Sequence, residues 1–223
     1  DEQAFAGAAG CLAEKVRFIA QDRPRGFGHA VACAADFVGD EPFLLLVSDH
    51  LFVSGGPVGC ARQLVELARA EECSVSGVQA THESKLSRFG VVGGCRLAGR
   101  QGVYQVSEVV EKPTPTEAEQ RLVVPGLRAG RYLCFFGMHV LTPTVFDLLG
   151  RAMAEAADGG FDLSGSLSRL AARERYLALE VDGRRYDIGS RYGLLEAQLA
   201  MALAGGDREE VLSMIVEIGR AHV

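Results

Sequence analysis

Apolar residues fall in short runs along this chain, and their spacing switches between the period of two expected of strands and the 3.6 expected of helices. Phe43-Leu44-Leu45-Leu46-Val47 is an unbroken apolar run after Pro42 that stops at Ser48-Asp49-His50. It is short enough to be a strand buried on both faces. Arg62-Gln63-Leu64-Val65-Glu66-Leu67-Ala68-Arg69 then shows the amphipathic spacing of a helix, and a strand is predicted over residues 75–80. Strand, helix, strand in this order predicts a Rossmann-like α/β fold, a mixed but mainly parallel sheet flanked by helices. Upstream, Val16-Arg17-Phe18-Ile19-Ala20 alternates briefly, and a helix is predicted from about residue 28, carrying residues 30–37.

Residues 89–110 read differently, as short β-type runs separated by glycine-rich turns, a small meander over the sheet's edge. Residues 132–140 form another strand, after which Thr142-Pro143-Thr144 opens a helix with an N-cap residue and an early proline. A helix over 163–174, a strand over 176–181 and two C-terminal helices over 192–204 and 207–218 complete the prediction. With no internal repeat and no low-complexity linker, residues 1–223 read as one domain.

With 223 residues and 48% hydrophobic content, the chain can bury a full core. A net charge of −6 removes the general attraction to phosphate backbone on which nucleic-acid binders rely, so an anionic small ligand needs a locally positive site. The six cysteines, Cys11, Cys33, Cys60, Cys73, Cys95 and Cys134, form no C-x-x-C pair. They read as reduced, packed thiols of a cytoplasmic protein. No signal-peptide pattern and no membrane-length apolar run is read in these residues, so a soluble intracellular protein is expected. Lys15, Lys85 and Lys112 are the only lysines among 23 basic residues, which singles out each of them.

Gln21-Asp22-Arg23-Pro24-Arg25-Gly26-Phe27-Gly28-His29-Ala30 resembles the Q-x-x-P-x-G-x-G-H-A segment of bacterial UTP-glucose-1-phosphate uridylyltransferases, relatives of the sugar-1-phosphate thymidylyltransferases. Further matches follow in that family's order: Gly39-Asp40-Glu41-Pro42-Phe43 leading to Asp49, Ser87-Arg88-Phe89-Gly90-Val91-Val92, Val110-Glu111-Lys112-Pro113, and Arg185-Tyr186-Asp187-Ile188-Gly189-Ser190. Gly130-Arg131-Tyr132 is a weaker one. Each motif is short, but their shared order across most of the chain is specific. The rival reading of Gly26-Phe27-Gly28 as a dinucleotide fingerprint fails, because the third glycine position holds Val31.

The resemblance implies that Gln21 reads the base, and a side-chain amide does offer a donor beside an acceptor, as a uracil edge requires. Gly26 and Gly28 would let the backbone approach ring and ribose. From the local pattern alone, the same loop is an ordinary Pro-Gly turn with a surface glutamine. Asp49 closes the most apolar strand, where α/β sheets bind ligands, and is a hard oxygen ligand suited to Mg²⁺; its plain alternative is a turn aspartate. The family commonly has a second acidic residue after it, where this chain has His50. The resemblance also assigns Glu111 to sugar hydroxyls and Lys112 to the sugar phosphate, and sets Gly90 against the sugar ring beside Phe89, commonly tyrosine in the family. Asp187 reads equally as a second metal contact or as a turn or N-cap residue. No chemistry is assigned to His29, His82, His139 or His222.

The reaction so implied is in-line attack by glucose 1-phosphate on the α-phosphorus of UTP, assisted by Mg²⁺, giving UDP-glucose and pyrophosphate. Lys112 and Asp49 would be the catalytic residues of a homo-oligomer, dimer or tetramer, with no nucleic-acid or membrane partner. A binding paralogue without turnover, or a thymidylyl- or cytidylyltransferase, is the alternative. The family's glycine-rich L-A-A-G-x-G-T-R loop has no match in Asp1-Glu2-Gln3-Ala4-Phe5-Ala6-Gly7-Ala8-Ala9-Gly10, so the triphosphate grip is expected outside this stretch. Gly160-Phe161-Asp162-Leu163-Ser164-Gly165-Ser166 departs from the family's E-x-x-L-T-D-A pattern, a departure that bears on subunit contacts and sugar preference.

Overall fold

The computed structural model describes residues 15–156 and 159–221; Cys11, His222 and the 1–10 stretch lie outside them. The main sheet has the order β1 (Phe43–Leu46), β6 (Arg131–Leu141), β3 (Ser74–His82), β7 (Tyr176–Glu180), β5 (Val103–Glu111), β4 (Gly90–Arg96), and β4 also touches β6. The central strand β6 is buried from Tyr132 to Leu141, and its two faces serve two layers of helices. Phe136, Met138 and Val140 point with Val75 and Leu177 toward helix α3 (Cys60–Glu71), which answers with Leu64, Leu67 and Ala68. Leu133, Phe135 and Leu141 point with Tyr176 and Ala178 to the opposite face. There α5 (Thr144–Glu155) and α6 (Leu163–Arg173) cover them with Leu148, Leu149, Leu167 and Leu170. The period of two in β6 thus meets helical stripes on both sides.

The mixed sheet flanked by helices is as predicted, but its direction is not. Among the described residues only β3 and β7 pair in parallel; β6 runs antiparallel to β1, β3 and β4, and β4 and β5 form a hairpin. Its tight connection explains the last pairing, since Gly99 and Gly102 take φ of 74° and 70° and Leu97 N–H donates to Val103 O at 2.8 Å.

Other differences are local. The helix predicted to reach residue 37 breaks into α1 (Phe27–Ala32) and α2 (Ala35–Val38). The brief alternation of residues 16–20 forms no regular element, and Phe18 is 96% exposed. Thr142 does not cap α5, whose N-cap position is Pro143; its hydroxyl donates to Glu174 Oε1 at 2.6 Å instead. Two strands missing from the prediction, β2 (His50–Ser54) and β8 (Gly183–Asp187), pair antiparallel as a separate ribbon. The remaining helices are α4 (Pro115–Arg121), α7 (Gly193–Ala204) and α8 (Arg208–Ala221).

Candidate functional site

Glu111 ends β5 directly opposite Gly90, the first residue of β4. A Cβ on Gly90 would lie 2.6 Å from Phe135 Cδ2, 2.8 Å from Ser164 Oγ and 3.0 Å from Glu111 Oε2, so only glycine fits. Ser164 Oγ donates to Glu111 Oε2 at 2.6 Å, leaving Oε1 to lie 3.8 Å from Lys112 Nζ. Lys112 has a φ of 48°, the left-handed region a side chain enters at a cost of about 1–2 kcal/mol. Its N–H donates to Phe89 O at 3.0 Å, and its ammonium remains more than half exposed. Gly90, Glu111 and Ser164 line one cavity of about 150 Å³, together with His50, Phe89 and Phe135.

Asp49 follows β1, and the ribbon brings it near Asp187, because His50 pairs with Asp187 in the β2–β8 ladder. Ile188 N–H also donates to Asp49 O at 2.9 Å. The Asp49 carboxylate is exposed, with Oδ1 lying 3.0 Å from His50 Nδ1. Asp187 Oδ1 accepts from Gly189 N–H at 3.0 Å, so the turn role is realised, while α7 begins after Tyr192 without a side-chain cap. His50 is largely buried, and burial holds its pKa below the ordinary value against the pull of Asp49. It therefore lines the cavity as a neutral ring whose Nε2 has no partner among the described residues.

Among the described residues no group of three or more His, Cys, Asp and Glu side chains could enclose a metal ion. Two neighbouring aspartates instead suit Mg²⁺, which keeps water in its shell and commonly takes one or two carboxylates plus phosphate oxygens. This donor set fits Mg²⁺ chemistry.

Gln21 lies before α1, with its amide held inside its own loop. Nε2 donates to Gly26 O at 3.2 Å and lies 2.7 Å from His29 Nδ1. His29, assigned no chemistry in the sequence, thus orients the predicted base reader. Gly26 has a φ of 95°, and a Cβ there would meet Phe161 O at 2.6 Å; one on Gly28 would meet Asp162 O at 2.7 Å. Both glycines press on the segment before α6, so a packing need accounts for them. Asp162 caps α6, its Oδ1 accepting Gly165 N–H at 2.9 Å, and with Ser164 and Phe27 it lines the cavity. Residues 161–164 therefore join the glutamine loop to Glu111. Ser164 was not legible as a site residue, its one signal being that the 160–166 segment departs from pattern, and His50 was marked only as standing where the family commonly has an acid.

The family model described as nucleotidyl transferase matches residues 5–203. Among curated relatives, UTP-glucose-1-phosphate uridylyltransferase YngB of Bacillus subtilis is 32% identical over 205 residues, covering 91% of this chain and 63% of that protein. UTP-glucose-1-phosphate uridylyltransferase 2 of Staphylococcus saprophyticus is 33% identical over 186 residues, covering 83% and 59%. The chain thus spans about three fifths of their length. A solved UDP-glucose pyrophosphorylase complexed with UDP-glucose superposes with a TM-score of 0.70 at 26% identity, covering 85% of this chain and 66% of that one. An apo UDP-glucose pyrophosphorylase gives 0.70 at 28%, covering 83% and 63%.

Proposed function

This chain belongs to the nucleotidyl transferase family, and we propose that it transfers the uridylyl group of UTP to glucose 1-phosphate, giving UDP-glucose and pyrophosphate. One observation carries the reading: Gly90, Glu111 and Ser164 converge on a cavity beside a lysine held in left-handed backbone. Glu111 accepts hydroxyls of the sugar, and Gly90 leaves room for its ring. Lys112 places a compact positive charge on the sugar phosphate. Gln21 reads the uracil edge once its amide leaves the Gly26 contact.

The attacking group is a phosphate oxygen of glucose 1-phosphate. With a second pKa near ~6 this monoester is already dianionic at neutral pH, so no general base is needed. A bond forms from that oxygen to the α-phosphorus of UTP, the bond from the α-phosphorus to its bridging oxygen breaks, and pyrophosphate leaves. The residues contribute positioning and charge neutralisation. Asp49 and Asp187 would hold Mg²⁺, which supplies further neutralisation of phosphate charge when bound.

Homo-oligomerisation, as dimer or tetramer, belongs to the same reading. Leu194, Leu195 and Met201 on α7, with Leu212, Met214, Val216 and Ile218 on α8, are exposed. No helix among the described residues is long and apolar enough to cross a membrane, and a cytoplasmic site agrees with the substrates. One observation favours binding without turnover instead: neutral His50 stands beside Asp49 where the family has an acid. Pyrophosphate release by the full-length protein with Mg²⁺, across UTP, dTTP, CTP and several sugar 1-phosphates, decides between them. Release with UTP and glucose 1-phosphate, abolished by Asp49→Ala, is expected. Activity with dTTP alone would overturn the choice of nucleotide, and UDP-glucose binding with no release would establish the binding reading.

A further inference from the structure

Lys85 and Arg88 lie on a 3₁₀ turn (Glu83–Arg88) that follows β3, and neither takes part in the reaction above. They line a second cavity, of about 350 Å³, together with Arg131 at the start of β6 and Arg185 on β8. Among the described residues none of these four cations has a carboxylate within ion-pair distance. Arg62, Arg100, Arg121, Arg169, Arg173 and Arg175 each do. Arg185 lies 3.5 Å from the centroid of the Phe89 ring, and its Nη1 is shielded from solvent without a hydrogen-bond partner among the described residues. A buried donor left without an acceptor is destabilising, and an anion in the cavity would supply the acceptor.

Two further features point to a phosphate-sized anion. The acids lining the cavity are Asp187 and Glu196, so at neutral pH four cations face two carboxylates, an excess that matches one dianion. His82 adds a donor: Nδ1 accepts from Ser84 N–H at 3.3 Å, which leaves the N–H of Nε2 to donate. The volume falls within the ~300–1,000 Å³ usual for small-molecule sites. Arg88 and Phe89 line both this cavity and the one containing Gly90 and Glu111, so an occupant here shares a wall with the sugar cavity.

We infer that the cavity of Lys85, Arg88, Arg131 and Arg185 is a binding site for a dianionic phosphate group, separate from the Lys112 site. The proposal stands whether or not the protein transfers uridylyl groups, because its readout is binding. Inorganic phosphate and a hexose 6-phosphate are titrated by equilibrium dialysis at constant ionic strength, against the full-length protein and two variants. One saturable site is expected, weakened about tenfold or more by Lys85→Ala with Arg131→Ala, since each removes a charge-assisted contact. Lys112→Ala is expected to leave it unchanged. Both substituted side chains of the double variant are exposed, and a thermal melt matching the parent shows that it folds. Tighter binding of the hexose phosphate identifies a phosphorylated metabolite as the ligand, and tighter binding of inorganic phosphate identifies the free ion. Absence of saturable binding, equal binding by the double variant, or loss in Lys112→Ala would each overturn the inference.

Discussion

Lys112 is the residue where stability and the proposed chemistry oppose each other. Its φ of 48° suits glycine, and a lysine retained there keeps backbone strain beside Glu111. Lys112→Gly is therefore expected to raise stability by about 1 kcal/mol, read as a higher urea midpoint. The same substitution should lower kcat/KM for glucose 1-phosphate by about a hundredfold, close to 3 kcal/mol of transition-state charge stabilisation. Lys112→Ala should lose the same activity without the gain in stability. A Lys112→Gly protein no more stable than the parent would show that the turn holds no strain. Ser164→Ala tests the neighbour: Glu111 loses the donor at 2.6 Å, and KM for the sugar phosphate should rise about five- to tenfold while kcat stays nearly constant.

At the scale of elements, the segment before α6 couples two motifs that lie far apart in the chain. Alanine ordinarily stabilises a helix over glycine by about 0.5–1 kcal/mol, and Gly150→Ala in α5 should do so, because nothing lies within 4 Å of its added Cβ. Gly28→Ala in α1 should do the reverse. Its Cβ would sit 2.7 Å from Asp162 O and from Phe161 Cδ2, and overpacking of this kind costs about 1–3 kcal/mol. It should also weaken UDP-glucose binding, whereas Gly150→Ala should not; titration calorimetry beside urea unfolding reads both. Equal behaviour of the two variants would dissolve the coupling. This is also where sequence legibility ended. Runs such as residues 43–47 and 132–140 declare strands by their unbroken apolar side chains; burial on both faces accounts for the second, whereas β1 departs from that expectation, with Leu44 and Leu46 exposed among the described residues. Direction in the sheet and the β2–β8 ribbon depend on partners far away in the chain, and Arg185-Tyr186-Asp187 carries no such apolar signal. For the same reason Gly90, Glu111 and Lys112 could be singled out by local motif while Ser164 could not, since its role arises from contact across 53 residues; His29 stood inside a motif, but its part shows only in the contact with Gln21.

For the molecule as a whole, the arrangement of β6 between two helical layers buries an imidazole in the core beside the hydroxyls of Ser76 and Tyr176. His139 shares the face of Phe135 and Leu141, is 3% exposed, and its Nδ1 lies 2.6 Å from Ser76 Oγ, which also meets the Tyr176 hydroxyl. Burial alone pushes its pKa from 6.5 down to about 4, so in the folded protein the ring stays neutral across the range where an unfolded chain takes up a proton. Between pH 6.5 and 4 the unfolded state binds more protons than the folded one, and stability must fall as pH falls. Above that window the two states carry the same neutral ring, and below about 4 both are protonated, so the loss is confined to the interval. A shift of this size corresponds to about 3 kcal/mol, a large share of a domain's net stability. The urea-unfolding free energies of the parent and of His139→Asn, which keeps a polar atom near Ser76, should therefore converge as pH falls. The variant's own cost is constant at pH 7 and above. The difference between the two proteins should shrink by about 3 kcal/mol as pH falls to 4, because only the parent carries the proton linkage. Parallel curves through that interval would mean that the core admits the charged ring, and that the two faces of β6 close less tightly around it than the packing of Phe135 and Tyr176 implies.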